Sequence, residues 1–312
     1  MVPLAKQNNL QLKGTAAAVP FVRGNMRVIN YVCSDDNIDI KFILKNKLKI
    51  SSGLITKLKH SRGIYLNGAE SDVRQKCKKG DVLRLVFPYC SNPNITASSV
   101  KCDILYEDED VICYNKPRGM PTHPSAGHRE DTLANCAIGY LSETCDEFHV
   151  VTRLDRYTSG IVLAAKNSFS ASKMCTKEYN SSISKKYIGV CRGILAPDCS
   201  IIELPIARCS DSIIKRCIDP NGKYSKTEYR VLDYTGQGNS LTEFILHTGR
   251  THQIRVHMAH LSHPLVDDFL YDDLACNDQC FCLHCKELKF VHPLSEKTIT
   301  VEAEIPHYFY SK

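Results

Sequence analysis

The chain has 312 residues, 43% of them hydrophobic and 24% charged, which excludes a disordered chain, a collagen-like repeat and a small disulfide scaffold. The formal net charge of +6 is unevenly divided: residues 1–100 carry 16 Lys/Arg against 6 Asp/Glu, and residues 101–312 carry 24 against 28. Lys41 to Arg84 alone holds 12 basic and 3 acidic residues, a density that points to a polyanion partner, most simply nucleic acid. Residues 1–24 read as a loosely tied N-terminal extension. Met1 to Asn9 has no contiguous apolar run of the kind that directs secretion, and no stretch approaches eighteen apolar residues. No membrane partner is expected, and the expected location is the cytoplasm. The 16 cysteines are scattered rather than framed, which suits small buried hydrophobes in a reducing compartment.

From Asn37 the pattern turns helical, with Ile40, Ile43, Leu44 and Leu48 at three- and four-residue steps and Asn37 or Asp39 available as a cap. Ser51 or Ser52 is placed to cap a second helix that buries Leu54, Ile55 and Leu58 and shows Lys57 and Lys59, with Arg62 after it. The apolar run Ile64-Tyr65-Leu66 ends at an Asn67-Gly68 turn, and Lys79-Gly80-Asp81 turns into Val82-Leu83-Arg84-Leu85. This stretch, ISSGLITKLKHSRGIYLNG followed by KKGDVLRL, resembles the S4-like RNA-binding domain, a small α/β module assigned to residues 25–88. Lysines on a preformed helix contact phosphates without first ordering a loop, so Lys57, Lys59 and Arg62 are candidate RNA contacts. The plainer reading of such a charge run is a solvated face.

Residues 89–103, uncharged between Phe87 and Ser99 and holding Pro93 with repeated Asn and Ser, read as a linker. Beyond it, short apolar runs predict strands at 111–114, 161–164, 187–190, 244–246 and 299–301, and helices near 132–141, 169–179 and 252–261. With no βαβ cadence, residues 104–312 are expected to form an α+β domain on a mixed, mainly antiparallel sheet.

Two segments of that domain carry chemistry. Val151 to Gly160 packs charged and small polar residues before an apolar strand, a loop held by a rigid element. Asp155 stands between Arg153 and Arg156, which favours its ionised form as a nucleophile, an electrostatic stabiliser, or simply a loop ion pair. In the second segment, Leu246 to His260, Gly249 permits a tight turn and Thr251 is placed to cap a helix with Ile254, Met258 and Leu261 on its apolar face. Arg250 and Arg255 are positioned to face a common ligand. His247, His252, His257 and His260 lack an acidic H-E-x-x-H partner, and Cys276, Cys280, Cys282 and Cys285 lack paired C-x2-C hooks, so no metal is expected.

RLDRYTSGIVLAAKN from Arg153 and TGRTHQIRVHMAHLSHPLVDDFLY from Thr248 resemble the RluA-type pseudouridine synthases, as do YEDEDVICYNKPRGMPTHP from Tyr106 and KKYIGVCRG from Lys185. LPIAR from Leu204 and KRCIDPNGKYSKTEYRVL from Lys215 extend the likeness over essentially Ile104 to the C-terminus. The resemblance implies an isomerase that turns uridine into pseudouridine in structured RNA, without cofactor. It implies Asp155 as the catalytic aspartate, Tyr187 as the tyrosine of the K-K-Y string and Arg255 as the partner of Asp155. Arg153 would lie beside the target nucleotide, with Arg156 and Arg250 among the phosphate contacts, and Lys116-Pro117-Arg118-Gly119 would form a loop beside the site. Three positions depart from the family pattern: Thr152 stands where His or Asn is usual, and Asp267 and Asp272 stand where glycines are usual. They bear on loop shape and RNA acceptance.

The expected function is an RNA pseudouridine synthase acting as a monomer, on ribosomal RNA of the large subunit first and transfer RNA second. A non-catalytic RNA-binding or ribosome-assembly factor on the same fold, and a glycosidic hydrolase, are the competing readings.

Overall fold

The computed structural model describes residues 17–18, 27–89, 94–142, 147–275 and 281–310. The expected loose extension falls almost wholly outside these residues, as do Cys276 and Cys280 of the cysteine cluster.

Among the described residues the hydrophobic clusters fall in two units, one near the N-terminus and one on a large sheet. In the first, the strand Arg27–Val32 pairs antiparallel with Val82–Phe87, which pairs in turn with Ile64–Leu66. Ile29, Tyr31, Leu83 and Leu85 alternate inward along these strands and meet Ile40, Leu44 and Leu58. The expected first helix is a single α turn, Ile40–Phe42, that widens into a π-helical segment, Ile43–Lys47. Ser51 caps the second helix, Ser52–His60, its hydroxyl accepting from Leu54 N at 3.3 Å. Lys57, Lys59 and Arg62 are exposed. Asn67 and Gly68, both at positive φ, make the hairpin turn.

The second core lies on a ten-stranded sheet. Its main path runs Cys199–Glu203, Lys226–Tyr234, Ser240–Leu246, Ser184–Cys191, Leu283–Val291, Ser159–Ala165, Val111–Lys116 and Asp103–Glu107. All pairings are antiparallel except that between 159–165 and 283–291, which are parallel at the centre. Gly160 sits at that junction with φ +104°, and a Cβ there would lie 2.3 Å from the carbonyl oxygen of Cys285. Only glycine fits.

Three local expectations change. Part of the segment expected as a linker is tied to the large unit: Ser98 N donates to Asn135 O at 3.1 Å, and Asn135 Nδ2 donates to Thr96 O at 2.7 Å. The helix expected over 169–179 is two, Ser168–Met174 and Lys177–Ser181, because Thr176 restarts it as a cap. Leu261, expected on an apolar face, is 37% exposed, while Ile254 and Met258 are buried.

The candidate active site

The parallel junction leaves a cavity of about 140 Å³ at the end of the sheet where strand 159–165 begins. The loop before that strand supplies Arg153 and Asp155, strand 184–191 supplies Lys185 and Tyr187, and the turn and helix after strand 240–246 supply Arg250, His252 and Arg255. Two strings some ninety residues apart in the chain thus face one space. Lys57, Lys59 and Arg62 lie in the other core's unit and do not reach it.

Asp155 is partly open, its side chain 26% exposed. Its Oδ2 lies 3.7 Å from Arg255 Nη1 and 3.8 Å from His252 Nε2. The neighbours in sequence do not pair with it. Arg156 turns away, its Nε donating to Gly119 O at 3.0 Å and its guanidinium lying 4.9 Å from the Tyr157 ring centre. Arg153 is exposed at the rim.

Arg255 is 3% exposed, which rules out a surface helix arginine. Its Nε and Nη2 donate to Asp268 at 2.6 and 2.7 Å, a two-pronged pair that leaves Nη1 toward Asp155. The rings of Phe269, Tyr271 and Phe281 surround the guanidinium, with centres at 5.5, 5.1 and 4.5 Å. Asp268 was not singled out from the sequence, although it sits within the quoted VDDF string.

His252 is pushed down to about 4 by burial, against the pull of Asp155, so its ring is neutral at pH 7. Its Nδ1 lies 2.9 Å from the Tyr271 hydroxyl. It also corrects the expected cap. The helix Gln253–His260 starts from His252 in the left-handed conformation (φ 59°, ψ 21°), and Thr251 makes no cap. Gln253 organises the turn instead, Oε1 accepting from Arg250 N and from Thr248 Oγ1 while Nε2 donates to Lys226 O and Thr227 Oγ1. Arg250 Nε donates to Tyr224 O at 3.1 Å.

Tyr187 is buried, and burial holds its phenol proton well above the ordinary tyrosine range, with the Cys285 thiol in hydrogen-bond reach. Burial also lowers Lys185 beside it. Beneath the Asp155 turn, fully buried Lys116 donates to the carbonyls of Pro117, Met120 and Arg156 at 3.0, 2.8 and 3.1 Å, and burial pushes it down to about 7. Thr122 Oγ1 donates to Leu154 O at 2.8 Å, so the 116–122 loop clasps the Asp155 turn from below.

The three unusual positions shape loops. Thr152 Oγ1 accepts from Leu163 N at 3.0 Å and pins the Asp155 loop to its strand. Asp267 adopts the left-handed conformation, φ 63°. Asp272, 7% exposed, accepts from Arg192 Nε at 2.9 and 3.0 Å and from Asp267 N at 3.1 Å. The histidines are partnered separately: His257 with Thr227 and Leu204 O, and His247 with Glu228. Among the described residues no cluster of His, Cys, Asp and Glu is arranged for a metal. Cys282 and Cys285 are buried in different hydrophobic clusters.

Residues 110–260 match the family model described as RNA pseudouridylate synthase. YjbO of Bacillus subtilis (strain 168), described as an uncharacterized RNA pseudouridine synthase, is 37% identical over 266 residues, 83% of this chain and 93% of its own length. Ribosomal large subunit pseudouridine synthase D of Buchnera aphidicola subsp. Schizaphis graminum is 28% identical over 315 residues, 95% of this chain and 96% of its own. Among solved structures, human RNA Pseudouridylate Synthase Domain Containing 1 superposes with a TM-score of 0.54 at 27% identity, over 65% of this chain and 83% of that one. The α+β fold on a mainly antiparallel sheet, the cavity built from the two quoted strings and the extent of these likenesses place the chain in one family. It belongs to the RluA-type RNA pseudouridine synthases, isomerases of uridine in RNA.

Proposed function

We propose that Asp155 carries the reaction, and that large-subunit ribosomal RNA is the substrate. The observation that carries this reading is the placement of one partly exposed carboxylate at the cavity, with Arg255 Nη1 at 3.7 Å and neutral His252 at 3.8 Å. Isomerisation breaks the bond from C1′ to N1 and makes one from C1′ to C5. The C5 proton leaves, and N1 gains one. The uracil must first leave the stack, at a cost of about a few kcal/mol, which contacts from Arg153 and the cavity wall offset.

Asp155 then attacks or stabilises the electron-poor sugar carbon as the bond opens. Arg255, its other nitrogens fixed on Asp268, keeps that carboxylate charged and oriented. Tyr187 offers a ring against which the released base can turn, and a phenol that keeps its proton at neutral pH. Arg156 and Arg250 hold flanking phosphates. Residues 25–88 serve as an S4-like RNA-binding module through Lys57, Lys59 and Arg62, and residues 104–312 as the catalytic unit of a monomeric, cytoplasmic enzyme.

The synthase D name of the Buchnera relative supports ribosomal RNA. Unmodified ribosomal and transfer RNA transcripts, incubated with the protein and mapped for pseudouridine, test the reading. Pseudouridine at defined large-subunit positions is expected. Modification confined to transfer RNA overturns the substrate assignment, and free uracil overturns the isomerisation.

A further inference from the structure

The basic N-terminal unit is joined to the catalytic unit by more than the chain between them. Phe169 follows the central 159–165 strand, yet it is 1% exposed within the N-terminal core, its ring centre 5.5 Å from that of Phe87. Beside it Arg27 reaches across to Asp110, which is 3% exposed. Arg27 Nη2 lies 2.9 Å from both Asp110 oxygens, and Oδ1 also accepts from Asn167 Nδ2 at 3.0 Å and Ser170 Oγ at 2.8 Å. At the edge, Ser51 N donates to Ser172 Oγ at 2.7 Å, and Lys49 pairs with Glu178 at 3.2 Å. A buried aromatic next to a buried, saturated carboxylate resists sliding, because any displacement strands a charge out of water.

The position of this interlock matters. Asp110 precedes strand 111–116 and Asn167 follows strand 159–165, while the opposite ends of the same two strands carry Lys116 and the Asp155 turn. The two strands are antiparallel neighbours, so they form a stiff bar between interlock and cavity. Seven extended residues set its length at about 20 Å.

Resting on the functional reading above, we infer that this interlock determines specificity. It holds the exposed basic face of the N-terminal unit at a fixed distance from Asp155. A uridine is then accepted efficiently only in an RNA that offers a second phosphate surface, such as a duplex arm, at that separation. A floppy tether would accept many separations, each at a lower effective concentration.

The test uses the full chain and its Arg27→Gln variant, with two readings. Small-angle scattering reports the maximum dimension. Turnover is compared on a large-subunit RNA transcript and on a short stem-loop carrying the same mapped uridine. The variant is expected to lengthen in scattering and to lose roughly tenfold or more in kcat/KM on the transcript, with less than about a twofold change on the stem-loop. Arg27→Lys, which keeps the charge, is expected to retain most of the transcript preference; if Arg27→Gln fails to fold, loss of that preference in Arg27→Lys at unchanged scattering overturns the inference. Unchanged scattering, or equal loss on both RNAs, overturns the inference while leaving the enzyme's function standing. A natural chain inactive on both RNAs removes the functional reading, and this inference with it.

Discussion

At the scale of single residues, the site depends on a charge that is buried before any RNA arrives. Arg255 is enclosed by three aromatic rings and neutralised by Asp268, which is itself fully buried. Removing the carboxylate strands the guanidinium. Asp268→Ala is therefore expected to destabilise the fold by about 3–5 kcal/mol, read by urea unfolding, and to abolish turnover. A loss below about 1 kcal/mol would show that Arg255 finds another partner. A second residue effect concerns acid. His284 lies buried with Nδ1 2.9 Å from Ser159 Oγ, and burial pushes it down to about 4. Below pH 6.5 the unfolded chain binds a proton that the folded chain refuses until about pH 4, so stability falls as pH falls through that window. The contribution reaches about 2 kcal/mol by pH 5, with His252 acting in the same direction. Urea midpoints at pH 7 and pH 5 check this, and His284→Asn is expected to shrink the difference.

At the scale of elements, what was legible followed hydrophobic pattern. The apolar runs at 111–114, 161–164, 187–190, 244–246 and 299–301 all lie in strands, and the Ser51 cap and the Asn67-Gly68 turn carry local signals that need no tertiary context. The 226–234 strand, KTEYRVLDY, was missed because it is half exposed and charged residues interrupt its alternation. Arg27–Val32 was missed because apolar residues fall on both faces, Val28 and Val32 beside the inward Ile29 and Tyr31, which blurs the alternation. Thr251 was misread as a cap because Gln253, two residues on, satisfies the turn through a side chain that reaches another strand. Asp155, Tyr187 and Arg255 were legible through their motif strings. Asp268 was not, and of the Lys116 loop only its place beside the site was expected, since the buried contacts of both arise only when distant segments meet. Gly160 gives the element-scale test. Gly160→Ala must place a Cβ against the Cys285 carbonyl at unfavourable φ, and about 3 kcal/mol or more of stability is expected to be lost in thermal unfolding. Near-wild-type melting would mean that the parallel junction is plastic.

At the scale of the whole molecule, the uneven charge acquires a geometry. The twelve basic residues from Lys41 to Arg84 sit on a unit that meets the unit of the large sheet through Phe169 and Asp110. Nothing in the sequence links Arg27 to Asp110 or Phe87 to Phe169, because these pairs are 82 or more residues apart and each residue is ordinary in its own neighbourhood. Deleting the first ninety residues would uncover Phe169, whose burial contributes roughly 1.5–3 kcal/mol, and unpair Asp110. A truncation therefore mixes folding with binding. Neutralising Lys57, Lys59 and Arg62 together to Gln is the cleaner experiment. The slope of log affinity against log salt is expected to shrink by about 2–3 while kcat on saturating RNA holds. A fall in kcat with an unchanged slope would assign these residues elsewhere.

The central proposal is that the Asp155 carboxylate performs the chemistry, and Asp155→Asn tests it most directly because it keeps the side-chain shape and removes the charge. Pseudouridine formation and RNA binding are measured side by side on unmodified large-subunit RNA. The natural chain is expected to form pseudouridine, and the variant to bind the RNA within about twofold yet turn over at least roughly a thousandfold more slowly. Turnover by the variant near the natural rate would contradict the assignment of Asp155.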